Sequence, residues 1–246
     1  MNRYGLIGRT LTHSFSKNYF THKFKEVGIA DSVYENFELK TIEEFPQLFD
    51  SHPDLKGLNV TIPYKEEVLP YLTSMNDVVK EIGACNCIKV VGKDLIGYNT
   101  DVVGFQNSLQ PKLKPHHKKA LILGTGGAAK AIRYVLQQLR IDYALVSRRK
   151  KENELGYEDV GDDVLAAYHL IINTTPLGMY PNTNADPPIP YEFITPQHFL
   201  FDIIYNPAKT KFLCEGEKQG AQIANGYEML IGQAEESWRI WSETSS

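Results

Sequence analysis

Residues 120–129, ALILGTGGAA, set a short apolar run directly against glycines at positions 124, 126 and 127. The spacing G-x-G-x-x-A suits the approach of backbone to a pyrophosphate. Gly124 permits a tight turn, Gly126 removes the side chain between main chain and anion, and small residues such as Ala129 let a helix pack closely on a strand. Residues 130–139 read as an amphipathic helix whose unsatisfied N–H groups would face that anion. Residues 143–147 follow as a second strand, so the stretch is a βαβ unit with Gly124, Thr125, Gly126, Gly127 and Ala128 as candidate dinucleotide contacts. The plainer alternative is a tight turn with no ligand.

The end of the second strand indicates which dinucleotide. A site for NAD places an acid there, about 20 residues past the glycines, to accept from the ribose 2′-hydroxyl, whereas a site for NADP places an arginine to meet the 2′-phosphate. The residues here are Ser147, Arg148 and Arg149; Asp142 precedes the strand and Glu152 lies well beyond it. A guanidinium bonds a phosphate through two parallel donors, which makes Arg148 the candidate clamp, with Arg149 or Lys150 assisting. A basic, solvated loop is the other reading of the same residues. Two further strands end in small polar groups: residues 170–176 (LIINTTP), with Thr174 at the exit and Met179 three residues beyond Pro176, and residues 199–204, followed by Tyr205-Asn206-Pro207. In open α/β sheets ligands lie outside the carboxyl ends of strands, where Met179 could pack on a flat ring.

A third stretch is odder. Residues 59–67, NVTIPYKEE, begin as a buried strand and end on Lys65, two residues behind Pro63. Proline can end the strand and open a helix whose first turn carries Lys65. A cation is unfavourable in a first helical turn, where acids such as Glu66 and Glu67 belong. An ordinary solvated lysine is the alternative, and the mismatch marks Lys65 for attention.

These stretches need elements to carry them. The chain has 246 residues, 42% hydrophobic and 23% charged, enough to bury a core in one large domain or two modest ones. Apolar runs alternate with helical stretches through the first hundred residues, and residues 87–91 and 95–98 flank a hairpin signal at Gly92-Lys93-Asp94, so the class is α/β. Residues 111–119 (PKLKPHHKK) read as a solvated connector at a domain boundary. A formal net charge of -4 gives no electrostatic footprint for nucleic acid. The three cysteines, 85, 87 and 214, and the seven scattered histidines show no metal-ligand spacing, so no metal is expected and the thiols are expected reduced. The apolar run of MNRYGLIGRT is too short for a signal peptide and no stretch has the length of a membrane span. A cytoplasmic protein that binds a small molecule, with no nucleic-acid or membrane partner, is the expectation.

The motifs, taken in order, resemble the shikimate dehydrogenase family over nearly the whole chain. Those that carry the likeness are Ser14-Phe15-Ser16, NVTIPYKE, Asn86 in GACNC, Asn99-Thr100-Asp101, GTGGAAK, INTTPLGM, residues 202–213 (DIIYNPAKTKFL), Asn225-Gly226 and Met229-Leu230-x-x-Gln233-Ala234. The resemblance implies an N-terminal α/β catalytic domain, residues 1–101 with 227–246, a Rossmann-type NADP-binding domain, residues 102–226, and a C-terminal helix returning to the first domain. It implies reversible NADPH-dependent reduction of 3-dehydroshikimate to shikimate by a monomer or homodimer. Ser14, Ser16, Thr61, Asn86, Tyr205 and Gln233 would hold the substrate, with Lys65 and Asp101 at the reacting oxygen. Ser147, Ile203 and Gly226 would join the glycine turn, Arg148, Arg149, Thr174 and Met179 around the cofactor. A lysine in the positive field of a helix start has its ammonium form destabilised, which suits proton exchange, while Asp101 opposes that.

Three departures from the family pattern stand out. Cys87 replaces the usual threonine after the asparagine of the GACNC stretch, Ser147-Arg148-Arg149 replaces an Asn-Arg-Thr run but keeps the arginine, and only residues 150–168 separate two Rossmann strands, a shorter connection than usual. A trimmed helix or strand is expected there, with a more open adenine side. Two other readings compete: a quinate/shikimate relative accepting NAD, and a non-catalytic dinucleotide-binding sensor.

Overall fold

The computed structural model describes residues 1–11, 15–29 and 31–243. They form two compact units, residues 1–100 with 234–246 and residues 101–233. Among the described residues no helix is long and apolar enough to cross a membrane.

The first unit is built on strands β1 (Asn2–Gly8), β2 (Ser32–Glu38), β3 (Leu55–Val60), β4 (Ser74–Met75), β5 (Cys87–Val91) and β6 (Asp94–Tyr98), with helices α1 (Phe15–Glu26), α2 (Gln47–Ser51) and α3 (Asp77–Ile82). Their order in the sheet is β2-β1-β3-β5-β6-β4. β1 lies parallel to β2 and β3, and the expected hairpin β5–β6 pairs antiparallel through a turn with Gly92 at φ 63°. Strand alternation sorts side chains to two faces. Ile7, Leu58 and Val60 join Tyr64, Val68 and Ile88 in one cluster; Tyr4 and Leu6 join Phe20, Phe24, Tyr34 and Trp241 in the other. Both faces are covered, which is why β1 is a continuous apolar run rather than an alternating one.

The second unit contains α4 (Asp101–Leu109), β7 (Lys119–Leu123), α5 (Gly127–Gln138), β8 (Asp142–Val146), α6 (Asp162–Ala167), β9 (Leu170–Asn173), β10 (Phe199–Asp202), α7 (Lys211–Lys218), β11 (Gln222–Ala224) and the start of α8 (Tyr227–Ser242). Its five strands are all parallel in the order β11-β10-β9-β7-β8. The expected α/β class, with a Rossmann-type sheet following the first α/β unit, is what forms. Helix α8 is continuous, and its last turns, from Ala234, belong to the first unit. There Trp241 stacks on Tyr4 at 5.1 Å between ring centroids and donates from Nε1 to the Ile88 carbonyl at 2.9 Å. Gly57 is obligatory beneath it, since a Cβ at that position would lie 2.3 Å from the indole nitrogen.

Two local expectations need correction. Residues 111–119 are not a boundary connector: they lie inside the second unit, where Lys112 pairs with Glu228 and its carbonyl accepts from Gln222 Nε2 at 3.1 Å. His117 is not a solvated linker residue either, being only 3% exposed. Its Nδ1 accepts from the Lys114 N–H at 3.0 Å and its Nε2 reaches the Gln197 carbonyl at 3.2 Å, an anchoring no sequence pattern announces. The short connection 150–168 retains α6 and a 3-10 turn, Tyr157–Asp159, but in place of a strand it keeps a single bridge, Leu155 beside Val146.

Burial pushes the His117 imidazole down to about 4, and His198 is shifted the same way. Well above pH 6.5 His117 is neutral folded or unfolded and contributes no pH dependence. As pH falls from 6.5 towards 4 the unfolded chain takes up a proton that the native site refuses, so stability is lost across that window. Allowing for solvent screening beside exposed His116, the loss should be about 1–2 kcal/mol. Urea unfolding at pH 7.5, 6 and 5 should show this decline, and His117→Gln should flatten part of it; an unchanged slope in that variant would remove His117 as the cause.

Candidate active site

In the first unit the turn that carries Lys65 is fixed from the strand outward. The Thr61 N–H donates to the Ile7 carbonyl at 3.0 Å as β3 ends, Ile62–Pro63 is a cis peptide, and the Tyr64 N–H closes back on the Thr61 carbonyl at 3.0 Å. Tyr64 is fully buried and donates its hydroxyl to the Leu39 carbonyl at 2.6 Å. The Lys65 carbonyl accepts from the Cys85 N–H at 2.7 Å, and the side chain is half-buried. No α-helix follows Pro63, contrary to expectation: residues 62–68 are turns running into a 3-10 turn at Leu69–Tyr71. Pro70 explains the difference, since it lacks an N–H and its ring would clash with the carbonyl of residue 66, leaving too few residues for a helix. The positive field of a helix start is therefore not what acts on Lys65.

Beside this turn lies a buried polar network. The Asn86 amide accepts at Oδ1 from the Thr100 N–H at 2.6 Å and donates from Nδ2 to Thr100 Oγ1 at 3.0 Å. Thr100 Oγ1 lies 3.2 Å from Ser237 Oγ, which accepts from Asn59 Nδ2 at 2.8 Å, and Asn59 Oδ1 accepts from the Tyr34 hydroxyl at 2.9 Å. Ser16, 8% exposed, also bonds that hydroxyl, whose pKa burial pushes well up. Ser14 lies outside the described residues. Asn86 is only 3% exposed, and one Nδ2 hydrogen and its oxygen are committed inside the protein. Cys87 fills the apolar cluster behind it, with burial raising its thiol pKa, and Cys85 is pushed up to about 12 for the same reason. Both are fully buried, Cys85 Sγ donating to the Cys87 carbonyl at 3.3 Å and the Cys87 thiol meeting Ser237 and Trp241, so a thiol serves inside the protein where the family has a hydroxyl.

The second unit owes its candidate site to strand register. Leu123 pairs with Val146 and with Asn173, and Asn173 pairs with Asp202, so four adjacent parallel strands end at one level. The residues that come next, Gly124, Ser147, Thr174 and Ile203, therefore emerge side by side although they are far apart in sequence. Gly124 adopts φ 105°, and a Cβ there would lie 2.7 Å from Thr174 Oγ1. Thr174 Oγ1 donates to the Leu123 carbonyl at 2.8 Å, tying the two exits together. Gly126 is the N-cap of α5, and a Cβ on Gly126 or Gly127 would meet nothing within 4 Å. That open space at a helix N-terminus fits a pyrophosphate. Thr125 is exposed and Ala128 half-buried beside it.

Arg148 and Arg149 stand exposed past β8, with the Arg149 N–H on Ser147 Oγ at 3.3 Å. Lys150, expected to assist them, instead pairs with Asp159 Oδ2 at 2.8 Å, a carboxylate held below its ordinary range chiefly by that contact. The shortened connection supplies that partner, and Leu155 closes on β8 by donating to the Leu145 carbonyl at 2.8 Å. Met179 is 47% exposed at the β9 exit. Gly226 cannot carry a side chain, because a Cβ would lie 2.0 Å from the Ile203 carbonyl oxygen. Tyr205 is half-buried, and Gln233, 9% exposed, donates to the Leu230 carbonyl at 3.1 Å. Asp101, 8% exposed, is the first residue of α4, where an acid suits the helix dipole. Sequence reading placed Thr210, with Pro207, at the start of a helix, and Thr210 is indeed the N-cap of α7; Asn173 and Asp202 entered only as members of the INTTPLGM and DIIYNPAKTKFL motifs, with no role assigned.

A parallel sheet with a glycine turn, an open helix N-terminus and arginines after its second strand defines a Rossmann-type dinucleotide fold in a chain that also carries a separate α/β unit. Residues 6–88 match the model of the shikimate dehydrogenase substrate binding domain. A shikimate dehydrogenase (NADP(+)) of Clostridium beijerinckii is 40% identical, with 99% of this chain and 93% of that protein covered. The corresponding protein of Caldicellulosiruptor saccharolyticus is 38% identical over 98% and 92%. Among solved structures, shikimate 5-dehydrogenase from Thermus thermophilus, in complex with NADP(H) and shikimate, superposes with a TM-score of 0.87 at 27% identity, covering 98% of this chain and 94% of that one. The chain belongs to the shikimate dehydrogenase family.

The Asn59–Asn86–Thr100–Ser237 network yields a stability test. Ser237→Ala leaves the Asn59 amide without its 2.8 Å acceptor in a site closed to water. Loss of one buried partner should cost about 1–3 kcal/mol in urea unfolding. A variant as stable as the parent would mean the network contributes nothing to folding.

Proposed function

We propose that this chain is an NADP-dependent shikimate dehydrogenase, reducing 3-dehydroshikimate to shikimate and back. It would act in aromatic biosynthesis in the cytoplasm, as a monomer or homodimer, with small molecules rather than nucleic acid or membranes as its partners. The observation that carries the reading is the register-aligned row of Gly124, Ser147, Thr174 and Ile203 beside the open Gly126–Gly127 turn, followed by exposed arginines with no acid at position 147. Named relatives with this activity span nearly the whole chain and support it. In this reading residues 1–101 with 227–246 bind the substrate and residues 102–226 the dinucleotide; the family match over residues 6–88 supports the first half of that division.

Bound NADPH supplies a hydride to the substrate's carbonyl carbon. The protein's tasks are then to hold the substrate and to deliver a proton where negative charge develops on oxygen. Lys65 and Asp101 take the proton transfer. Ser14, Ser16, Thr61, Asn86, Tyr205 and Gln233 bind carboxylate and hydroxyls, Asn86 with its remaining Nδ2 hydrogen. Thr125, Gly126, Gly127 and Ala128 present backbone N–H groups to the pyrophosphate, Arg148 and Arg149 meet the 2′-phosphate, and Met179 packs on the nicotinamide ring. Lys150 contributes little while Asp159 holds it.

The primary test is NADP-dependent oxidation of shikimate by the purified protein, followed at the nicotinamide absorbance band; no turnover would overturn the reading. Lys65→Ala should lower kcat by roughly 10²–10⁴ with a modest change in KM, as loss of a general acid–base group does. Asp101→Ala should do comparable damage, and the double variant should fall short of the sum, because groups acting as one unit cannot each be lost twice. Full additivity, with both variants folded by circular dichroism, would separate their roles. Arg148→Ala should weaken NADPH about tenfold or more and NADH far less, since only NADPH carries the phosphate that the guanidinium clamps. Equal weakening of both would remove Arg148 from the phosphate site.

A further inference from the structure

Asp202 closes β10 and is completely buried, an unusual place for a carboxylate. Its Oδ1 accepts from Asn173 Nδ2 at 3.1 Å and from the Ile204 N–H at 3.0 Å, and its Oδ2 accepts from the Thr210 hydroxyl at 2.6 Å. Each donor belongs to a different piece of the β9 and β10 exits. Asn173 ends β9, and its own Oδ1 accepts from the Thr175 N–H at 3.0 Å and the Thr175 hydroxyl at 2.7 Å. Ile204 begins the loop after β10. Thr210 is the N-cap of α7, accepting from the Leu213 N–H at 3.4 Å. Asn173 and Thr210 are themselves fully buried.

We infer that Asp202 is the positioning residue for the dinucleotide-facing loops of the second unit, setting Thr174, Met179 and Ile203 through Asn173, Ile204 and Thr210. The inference rests on the proposed NADP-dependent function. The geometry makes it specific. Asp202 and Asn173 are cross-strand partners in register, so one carboxylate locks the ends of neighbouring strands at the level where all four site loops emerge. Ile203, between Asp202 and Ile204, donates its own N–H to the Asn173 carbonyl at 3.1 Å, so the main chain at the exit is held from both sides. Gly178, at φ 93°, brings the loop that carries Met179 against Thr210, where an added Cβ would stand 3.2 Å from the threonine Cβ. Displacing Thr210 therefore moves that loop as well as the helix.

A carboxylate with no water access is a costly way to fill this space, and burial duly raises its pKa to about 6. An apolar residue of the same volume could not accept from three donors at once. The carboxylate is fully buried and both its oxygens accept from protein donors, so its influence on chemistry is indirect, carried by loop position.

The test compares Asp202→Ala with Asp202→Asn in the full chain. Asparagine keeps an acceptor for Asn173 and Ile204 and can bond Thr210 through its amide, so it should rescue what alanine loses. NADPH binding, followed by the fluorescence of the bound nicotinamide, should weaken about tenfold or more in Asp202→Ala, the change expected for losing buried hydrogen bonds at the site. It should remain within about twofold in Asp202→Asn. In turnover, KM for the cofactor should rise in the alanine variant while KM for shikimate changes little. Should alanine prevent folding, Thr210→Val removes a single donor and should show a smaller shift in the same direction. Unchanged NADPH affinity in a folded Asp202→Ala or Thr210→Val protein would overturn the inference, as would equal losses in KM for both substrates. Binding is read without turnover, so an inactive parent protein that still binds NADPH would count against the proposed reaction, while the same comparison of affinities would still decide the role of Asp202.

Discussion

The constraint on which the second unit depends is the common direction of its strands. Parallel strands buried on both faces must be apolar through their length, so polar groups can appear only where the strands stop. Pairing of Leu123 with Val146 and Asn173, and of Asn173 with Asp202, makes four strands stop together. Four loops then share one rim, and each can present a short, functional sequence without disturbing the sheet. The glycine turn, the arginines, the threonine exit and the Ile203–Tyr205 exit are consequences of that alignment rather than separate inventions.

Polar groups that are nonetheless buried carry the rigidity of both units. In the first, Tyr34, Asn59, Asn86, Thr100 and Ser237 bond one another across β2, β3, the ends of β5 and β6, and α8. In the second, Asp202 gathers Asn173, Ile204 and Thr210. The physical logic is shared: a group cut off from water must find partners, and partners with fixed directions hold elements in one arrangement where apolar contacts would let them slide. The Trp241 ring adds the apolar counterpart, resting where Gly57 leaves room for it.

The chain's departures from its family pattern are absorbed locally. Cys87 takes a buried position between the aromatic cluster and the Ser237 hydroxyl, so a thiol serves there. The shortened connection after β8 loses a strand yet returns Leu155 to the sheet edge and brings Asp159 to Lys150. A missing piece of sheet thereby changes which cation is available beside Arg148 and Arg149.

The α/β class, the βαβ unit, the glycine turn and the arginines after β8 were legible in the sequence, because each follows from short-range preferences: periodic burial, the torsional freedom of glycine, the charge of a side chain. Lys65 shows the boundary of that legibility. Proline placed a turn at the end of β3, but Pro70, the buried Tyr64 and the Cys85 N–H together decided that no helix forms there. Which polar groups meet was decided by the tertiary structure alone. Asn86 spends its oxygen on Thr100, Lys150 is taken by Asp159, His117 is anchored at Gln197, and Asp202 collects donors from three segments. Propensity and spacing report the free energy of a residue among its chain neighbours, whereas the partner of a buried polar group is set by which elements lie adjacent in space, and that is known only once the sheet has chosen its strand order.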